Sequence, residues 1–537
     1  MSSNADVVVD RIPADLRPEA HFDGRSMLCY ADRPASLNAM FHDLVARFPY
    51  RPAIVEDRTL TYLDVDKLSA TVGARLTSLG VAPGDRVAVY LGNCWEFLVV
   101  FFACIRLGAI IVPIGTRQRH SELEFLLKNS GAKVLILEPD LAEFVPASDL
   151  LPDLVHRFVI RGEAPSARPF ADLLTEGSEA CPAPTAHEED VAVILYTSGT
   201  TGQPKGAQLT HLGLIHSSLA FSRACELSER DRALVAVPLS HVTGLVGVAL
   251  SVMIAGGCVV LMRQAFKAPD FLALAAREKI TYSILVPTIY TLCAMRPDLA
   301  SFDLTAWRIG CFGGAPMPVA TIEMLAAKLP HLQLLNAYGA TETTSPATIM
   351  PLQDWRDNVD SIGKVVPCGR IRVVDGAGRD VAPGTTGEFL IAGPMVTPGY
   401  WRRPDANVSE FADGFWRSGD IGSIDSNGFA RILDRKKDMV NRGGFKIFSA
   451  EVENIISGVE GVIECAVVGK PDPVLGERVH AIVVVEAAAE VDDATVRAYC
   501  AQRLSDYKVP ETVVIRTEPL PRNANGKVIK PLLRTEI

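Results

Sequence analysis

Short apolar runs alternate with amphipathic helical patterns through about the first four hundred residues, and this alternation allows few architectures. Buried strands separated by helices of this length form βαβ units, in which the strands run parallel. We therefore predict an α/β fold built from mostly parallel sheets with helices. The strand patterns are RVAVYLG, KVLILEP, VAVILYTS, ALVAVPLS, CVVLM, YSILVP and RIGCFGG, and two helical patterns among them are FLALAAREK and PVATIEMLAAKL.

The texture changes after this region. The stretch SIGKVVPCGRIRVVDGAGRDVAPGTTGEFLIAG reads as strands separated by glycine and proline turns, which predicts an antiparallel β subdomain. The charge cluster DRKKD then follows an apolar strand pattern, and the last hundred or so residues carry enough pattern for a small domain. We predict a large amino-terminal domain over 1–433, a hinge over 434–437 and a small mobile α+β domain over 438–537.

Composition narrows the class of protein. The 537 residues are 48% hydrophobic and carry a formal net charge of −10 without a long basic run, which argues against nucleic acid as the main partner. The amino terminus lacks the pattern of a signal peptide. The uncharged stretch Leu245–Met262 contains the pair Gly256-Gly257, so we interpret it as a buried helix, a turn and a buried strand without a membrane span.

The eleven cysteines include no C-x-x-C pair, and most stand in apolar surroundings. A metal or redox site would need a ligand spacing that the sequence does not show. We predict small buried thiols, which suit a reducing cytoplasm.

The segment LYTSGTTGQPKGA follows a buried strand pattern and cannot build a core. Its glycines let backbone N–H groups converge on an anion, and its hydroxyls and its lysine add donors and charge. The pattern therefore favours a polyphosphate site, although such loops also occur as surface linkers. The Walker pattern and the dinucleotide pattern G-x-G-x-x-G are both missing from it. The candidate residues are Thr197, Ser198, Gly199, Thr200, Thr201 and Lys205.

This segment resembles the signature of the adenylate-forming superfamily, which includes acyl-CoA synthetases, luciferases and adenylation domains. Further motifs follow in the order of that family: VPLSHVTGL, GGAPMP, NAYGATETT, PGYWRRP, GFWRSGDIG, DRKKDMVNRGGFKIFSAEVEN and PRNANGKVIK. The resemblance implies that a carboxylic acid reacts with ATP and Mg²⁺ to give acyl-AMP and pyrophosphate. A thiol, favoured to be coenzyme A, then displaces AMP.

The resemblance also implies roles for single residues in the nucleotide site. Tyr338 would stack on adenine opposite a thin wall, Thr341 would donate to the α-phosphate, and Glu342 would hold Mg²⁺, a cation that prefers oxygen ligands. Asp420 would accept hydrogen bonds from the ribose hydroxyls, and Arg435 would reach the same ribose. The wall residues are Gly313, Gly314 and Ala315.

Other implied roles concern the carboxyl-terminal part. Lys527 would bridge the substrate carboxylate and the α-phosphate, where a cation offsets the charge of two approaching anions. Lys437 occupies the hinge position of the family. After rotation of the small domain, Gly443 and Gly444 would line a passage for phosphopantetheine, and Lys446 would assist either the nucleotide or the CoA end.

His241 bears on the substrate. Amino-acid-activating relatives usually carry an aspartate in this region, whereas VPLSHVTGL offers an imidazole near the acyl carboxylate, which suits a plain organic acid. Where many relatives have Gln-Gly, this chain has Asn336-Ala337, so chain-length preference stays open between a medium or long fatty tail and a ring. The alternatives to a CoA ligase are an enzyme that loads a carrier protein, a non-catalytic nucleotide-binding homologue and, remotely, a luciferase-like oxygenase.

Overall fold

The computed structural model describes residues 13–22, 24–175, 186–197, 203–315, 317–486, 489–522 and 528–536. Each apolar run singled out from the sequence contains a strand, and both amphipathic patterns form helices, Ala268–Arg277 and Val319–Lys328. The predicted class, α/β with parallel sheets, an antiparallel β subdomain and a small carboxyl-terminal unit, is confirmed by the sheet topology.

The first sheet has seven strands, and all neighbouring pairs but one are parallel. The exception is Lys205–Thr210, which returns antiparallel beside Val191–Thr197. The glycine- and hydroxyl-rich segment therefore connects two neighbouring strands of one sheet. The order across the sheet is Lys205–Thr210, Val191–Thr197, Ile110–Pro113, Arg86–Tyr90, Val134–Leu137, His156–Val159 and Arg168–Pro169.

The second sheet has nine strands and is parallel through its centre. Antiparallel pairs close both of its edges. The order is Lys364–Val365, Ser345–Ile349, Gln333–Ala340, Ile309–Phe312, Tyr282–Leu285, Arg232–Val235, Cys258–Leu261, Pro52–Val55 and Thr59–Thr61.

The helices of this large region cover the two sheets. Both faces of the first sheet are apolar because each packs against a core. Val87 and Val89 join the main core on one side, and Ala88 and Tyr90 join a second cluster on the other. The α-helices are Leu37–Arg47, Tyr62–Ser78, Trp95–Leu107, His120–Ser130, His211–Ala224, Ala268–Arg277, Pro287–Ala294 and Val319–Lys328, and short 3₁₀ helices are Pro139–Phe144, Ser148–Leu150, Phe170–Leu174 and Leu299–Ser301.

The uncharged stretch Leu245–Met262 is buried inside the protein. It contains most of a π-helix, Thr243–Leu250, then the α-helix Ser251–Ile254 and the strand Cys258–Leu261, with a turn at Gly256. Among the described residues, no helix combines the length and the apolarity that a bilayer crossing demands. The helix, turn and strand predicted for this stretch are confirmed, although its first half is π-helical.

An antiparallel sheet forms the β subdomain and holds several site residues. Its strands are Arg370–Val374, Gly387–Ala392, Phe415–Ile424 and Phe411–Ala412, with Ala430–Arg435 paired to Phe415–Ile424, and the short helix Pro404–Glu410 precedes Phe411–Ala412. A separate hairpin near the amino terminus joins Leu16–His21 to Arg25–Tyr30.

The carboxyl-terminal part has its own sheet and its own core. In the strand Gly476–Val485, Val483 and Val485 face one apolar cluster and Ile482 and Val484 face another, as the two-residue period of a strand requires. Its strands are Phe445–Ile447, Val440–Arg442, Gly476–Val485, Val462–Asp472 and Thr512–Arg516, and its helices are Ser449–Ile456, Asp493–Ala501, the 3₁₀ helix Asp506–Lys508 and Lys530–Thr535.

The cysteines of the described residues are free, and all are buried except the half-buried Cys465. Burial raises the pKa of Cys104 and Cys258, in each case because the thiolate would lose its solvation. Cys29 lies close to Glu19 and His21, but the guanidinium of Arg33 already holds both carboxylate oxygens of Glu19. The prediction of small buried thiols is confirmed for these residues.

Candidate active site

The site begins where the strand Val191–Thr197 ends in the first sheet. Thr197 stands opposite Lys205 in the antiparallel register, so both flanks of the predicted phosphate loop lie side by side. The hydroxyl of Thr197 lies 3.5 Å from the carbonyl oxygen of Lys205. The other four predicted residues of the loop, Ser198, Gly199, Thr200 and Thr201, lie outside the described residues.

Lys205 is 5% exposed, although it carries a charge. Its ammonium forms an ion pair with the carboxylate of Glu410 and lies 4.8 Å from the centre of the Tyr400 ring. A buried ammonium needs a counter-charge because it has lost its hydration, and the tyrosine ring adds a cation–π contact. The lysine that the sequence assigned to phosphate is therefore held at the edge of the first sheet.

Tyr400 links two carboxylates. Its hydroxyl lies 2.9 Å from Oε1 of Glu342 and 2.7 Å from Oε2 of Glu410, and the residue is 1% exposed. An isolated bridge pairs Tyr400 with Ala207, which brings the PGYWRRP segment onto the edge strand that begins at Lys205. The four side chains of Lys205, Glu342, Tyr400 and Glu410, called here the lysine–carboxylate cluster, form one connected group.

Glu342 lies in the 3₁₀ turn Thr341–Thr343, directly after the strand Gln333–Ala340. Its side chain is buried, and burial raises its pKa, opposed by the hydrogen bond from Tyr400 and by the charge of Lys205. A buried carboxylate with a free share of oxygen lone pairs fits Mg²⁺, which coordinates carboxylate and phosphate oxygens. Thr341 lies in the same turn and is 7% exposed.

The predicted adenosine residues form a second group. The hydroxyl of Tyr338 donates to Oδ2 of Asp420 at 2.6 Å, and Nε of Arg435 lies 3.0 Å from Oδ1 of Asp420. The charge of Asp420 raises the pKa of Arg435, while burial and then the Asp420 carboxylate raise the pKa of Tyr338 well above its usual value. Three residues that the family resemblance assigned to adenine and ribose are thus in direct contact.

These contacts follow from strand pairing. Asp420 lies opposite Arg435 in the register between Phe415–Ile424 and Ala430–Arg435. The hydroxyl of Ser418 accepts a hydrogen bond from the backbone N–H of Asp420 at 3.0 Å, which helps to fix the backbone from which the carboxylate projects. Asp434 and Arg435 are still strand residues, so the segment predicted as the hinge begins within this strand.

The wall residues follow the strand Ile309–Phe312, whose neighbour in the sheet is Gln333–Ala340. A Cβ on Gly313 would lie 2.3 Å from the carbonyl oxygen of Ala337, so only glycine fits at this position. Gly314 and Ala315 are exposed beside it. The carboxyl ends of these two parallel strands therefore place the wall and Tyr338 at one edge of the sheet, where α/β proteins bind ligands.

His241 lies before the π-helix Thr243–Leu250 and is half-buried. The loop that carries it is fixed by Asn93, whose amide nitrogen lies within hydrogen-bond distance of the carbonyls of Val235, Val237 and Met262, and whose oxygen accepts from the N–H of Leu239. Asn93 follows the strand Arg86–Tyr90 of the first sheet, so it also joins the two large sheets.

The carboxyl-terminal glycines form a tight turn. Gly443 has φ +58° and Gly444 has φ +92°, and the turn joins the antiparallel strands Val440–Arg442 and Phe445–Ile447. Two consecutive positive φ angles are the signature of a two-residue hairpin loop that glycine favours. Nothing lies within 4 Å of a Cβ built on Gly444, so that side of the turn is open. Lys446 is exposed next to it.

Lys527 lies outside the described residues, together with Asn523, Ala524, Asn525 and Gly526. On either side, Arg522 and Val528 form an isolated antiparallel bridge. The helix Lys530–Thr535 follows, and Arg534 donates to the carbonyl oxygen of Lys437 at 3.0 Å.

Sequence reasoning gave no contact role to three side chains that form polar contacts in or near the site. Tyr400 stood in a quoted motif without a role, and Glu410 stood beyond that motif. Asp434, read as part of a charge run, is instead buried and accepts hydrogen bonds from the N–H and the hydroxyl of Ser449 at the start of helix Ser449–Ile456. Tyr400 and Asp434 each stood in a quoted motif, and Glu410 stood in none. Their partners could not be read from the motifs, because the contacts join distant parts of the chain.

Comparison with known proteins identifies the family to which the chain belongs. Residues 41–401 match the AMP-binding enzyme family and residues 451–527 match the AMP-binding enzyme C-terminal domain. A feruloyl-CoA synthase of Amycolatopsis sp is 36% identical over 489 residues, which cover 90% of this chain and 96% of that protein. A long-chain-fatty-acid–CoA ligase of Mycobacterium tuberculosis is 34% identical over 496 residues, covering 91% and 96%.

Among solved structures, the anthranilate CoA ligase in complex with anthranoyl-AMP superposes with a TM-score of 0.87 at 26% identity, covering 94% of this chain and 98% of that one. The first family match contains Lys205, Tyr338, Glu342 and Tyr400, and the second covers most of the carboxyl-terminal sheet. Glu410, Asp420 and Arg435 lie between the two matches. The chain therefore belongs to the AMP-binding enzyme family.

Proposed function

We propose that the protein is an ATP-dependent acid–CoA ligase that makes acyl-AMP and pyrophosphate and then acyl-CoA and AMP. The observation that carries this proposal is the short stretch from Tyr338 to Glu342, which joins the Tyr338–Asp420–Arg435 group to the lysine–carboxylate cluster. An adenine- and ribose-binding group next to a buried carboxylate and a buried lysine matches the parts of MgATP in their covalent order.

In the first step, a carboxylate oxygen of the acid attacks the α-phosphorus of ATP. The new bond joins that oxygen to phosphorus, the bond to the β-phosphate oxygen breaks, and pyrophosphate leaves with the electron pair. Bound Mg²⁺ supplies positive charge that offsets the phosphate oxygens. Glu342 would hold that ion, Thr341 would donate to the α-phosphate, and Lys205 would offset charge on the leaving pyrophosphate. Lys527 would stand between the two anions that must approach.

In the second step, the thiol sulfur of CoA attacks the carbonyl carbon of acyl-AMP. A carbon–sulfur bond forms, the carbon–oxygen bond to AMP breaks, and the thiol proton passes to solvent. The family resemblance places Lys527 in the first step and the Gly443–Gly444 turn in the second, so the carboxyl-terminal unit must change position between them. We propose that Lys437 is the hinge about which the carboxyl-terminal unit rotates.

The turn at Gly443–Gly444 offers a test of the second step. Both Gly444→Ala and Gly444→Trp place a side chain at φ +92°, so they share the backbone strain and differ mainly in volume. We expect the Trp variant to form thioester from synthetic acyl-AMP and CoA about tenfold more slowly than the Ala variant, because its indole would fill a narrow passage.

Pyrophosphate release from acid and ATP, measured on the same two variants, is expected to be equal. If pyrophosphate release by the Trp variant fell by more than its thioester formation, this turn would not line the CoA passage. Circular dichroism of both variants checks that the overall fold is retained.

The acid is proposed to be an apolar one, either a fatty acid or an aromatic acid. His241 stands where amino-acid-activating relatives usually have an aspartate, so no carboxylate at that position is available to pair with a substrate amine. The feruloyl-CoA and long-chain-fatty-acid relatives support both subclasses. Asn336 lies inside the strand Gln333–Ala340, and its amide donates to the carbonyl oxygen of Ser361 at 3.2 Å. The choice between a tail and a ring stays open.

Pyrophosphate release with a panel of acids tests this function. The panel contains straight-chain fatty acids of increasing length, hydroxycinnamic and benzoic acids, and amino acids, each with MgATP alone and with CoA. We expect release with apolar acids, acyl-CoA formation on CoA addition, and no reaction with amino acids. If the protein bound MgATP but none of the acids in the panel led to pyrophosphate release, the non-catalytic alternative would be favoured.

Competition separates CoA from a carrier protein as the thiol. Free CoA and a phosphopantetheinylated carrier are offered together to enzyme preloaded with acyl-AMP, and the products are separated by mass. We propose that CoA is acylated first.

We also propose that the enzyme works in the reducing cytoplasm, because the cysteines of the described residues are free and mostly buried.

A further inference from the structure

Glu410 has no role in the chemistry described above, yet it is the ion-pair partner of the buried lysine. Its Oε1 contacts the ammonium of Lys205 and its Oε2 lies 2.7 Å from the hydroxyl of Tyr400. Both carboxylate oxygens are therefore engaged inside the site. The side chain of Glu410 keeps 29% of its exposure, whereas that of Lys205 keeps 6%.

The surroundings hold Glu410 in a fixed place. It is the last residue of the helix Pro404–Glu410, and Asn407 of that helix accepts from the N–H of Tyr400 at 2.6 Å and donates to the carbonyl oxygen of Tyr400 at 3.2 Å. The ring of Tyr400 packs edge-on against Phe411, with centroids 5.4 Å apart. The helix, the tyrosine and the carboxylate thus form one rigid support against Lys205.

A polyphosphate would compete with this support. Lys205 needs a counter-charge while no nucleotide is bound, and Glu410 supplies it. A β- or γ-phosphate that reaches the same ammonium must share it with the carboxylate, and two anions on one cation repel each other. Because the helix fixes Glu410, the carboxylate is ready to take the lysine back when pyrophosphate departs.

We propose that Glu410 is a positioning residue that holds Lys205 between turnovers, exchanges it with the β- and γ-phosphates, and thereby weakens the binding of ATP and of pyrophosphate. AMP has neither of these phosphates, so its affinity does not depend on the exchange. The inference rests on the proposed function for its ligands, but its test requires only nucleotide binding.

The test compares Glu410→Gln with the unmodified enzyme by calorimetric titration. Glutamine keeps the shape of the side chain and one oxygen for Tyr400 or Lys205, and it removes the competing charge. We expect MgATP and magnesium pyrophosphate each to bind about tenfold more tightly, the size of one charge-assisted hydrogen bond, while AMP affinity stays within about twofold. Slower pyrophosphate release in single-turnover reactions should accompany the tighter binding.

The matched control is Asp405→Asn on the same helix. Asp405 pairs with Arg403, its side chain is 67% exposed, and it does not contact Lys205. This variant removes the same charge and should leave all three affinities unchanged. Thermal unfolding of both variants reports whether the stability of the fold is unchanged. Glu410→Asp restores the charge on a shorter side chain and should bring the ATP affinity part of the way back to that of the unmodified enzyme.

Three results would overturn the inference. Weaker MgATP binding in Glu410→Gln would assign the carboxylate to the metal, and parallel changes in MgATP and AMP affinity would assign it to the fold. Unchanged affinities would show that the lysine exchanges freely. If the unmodified enzyme bound neither MgATP nor AMP, the proposed function itself would fail, which is a separate outcome.

Discussion

Glu342→Gln is expected to slow pyrophosphate release by about 100-fold or more and to raise the Mg²⁺ concentration needed for half-maximal rate. The glutamine keeps the size of the side chain and an oxygen that accepts from the Tyr400 hydroxyl, now 2.9 Å from Glu342. What it removes is the negative charge that a hard divalent cation requires from its one proposed protein ligand. The fold should therefore survive while the metal affinity falls.

Magnesium titrations of the initial rate measure this effect directly. The control is Glu323→Gln, an exposed glutamate on the helix Val319–Lys328, which should leave both the rate and the Mg²⁺ dependence unchanged. A Glu342→Gln enzyme with a lower rate but an unchanged Mg²⁺ dependence would contradict the assignment of this residue to the metal. AMP binding, which does not need the ion, should stay close to that of the unmodified enzyme.

The sequence predicted the sheets well because buried parallel strands are recognisable from short apolar runs. It predicted the π-helix Thr243–Leu250 only as a helix, since seven of its eight residues are buried and a wholly apolar segment has no period to read. The edge strand Lys205–Thr210 was also missed. Its residues, KGAQLT, show little strand pattern, and the pairing with Val191–Thr197 defines it.

The proximity of the residues proposed for the nucleotide was predictable, because their motifs carry them close together. Tyr338, Thr341 and Glu342 are near one another along the chain, and Asp420 and Arg435 meet through a hairpin-like strand pair. The support around Lys205 could not be placed in this way. The partners Lys205 and Glu410 are 205 positions apart, and Glu342 and Tyr400 are 58 positions apart, so only the folded chain brings them together.

Asp434 is a residue whose burial could not be predicted from the sequence. In the sequence it opens a run of charged residues, which usually face solvent. In the structure its carboxylate caps the start of helix Ser449–Ile456, and burial raises its pKa against the opposing charge of Lys530. The contact spans Lys437, so a rotation of the carboxyl-terminal unit about that residue would have to break it. The Asp434–Ser449 contact is thus one that such a rotation would cost.

The largest expected separation of the two half-reactions comes from Lys527→Ala. A carboxylate and the α-phosphate repel each other as they approach, and a lysine between them offsets charge only while the new oxygen–phosphorus bond forms. We expect pyrophosphate release from acid and MgATP to fall by about 100- to 1,000-fold. The second step has no such pair of anions, so thioester formation from synthetic acyl-AMP and CoA should stay within about threefold of the unmodified rate.

The control for this experiment is Lys470→Ala, which removes a lysine from the strand Val462–Asp472 of the carboxyl-terminal sheet. It should change neither half-reaction, so a loss specific to Lys527 cannot be a general effect of removing one positive charge from the carboxyl-terminal part of the chain. Equal loss of both half-reactions in Lys527→Ala would mean that the lysine stays at the site throughout the cycle. In that case the Asp434–Ser449 contact would have no reason to break, and a single arrangement of the two parts would have to serve both steps.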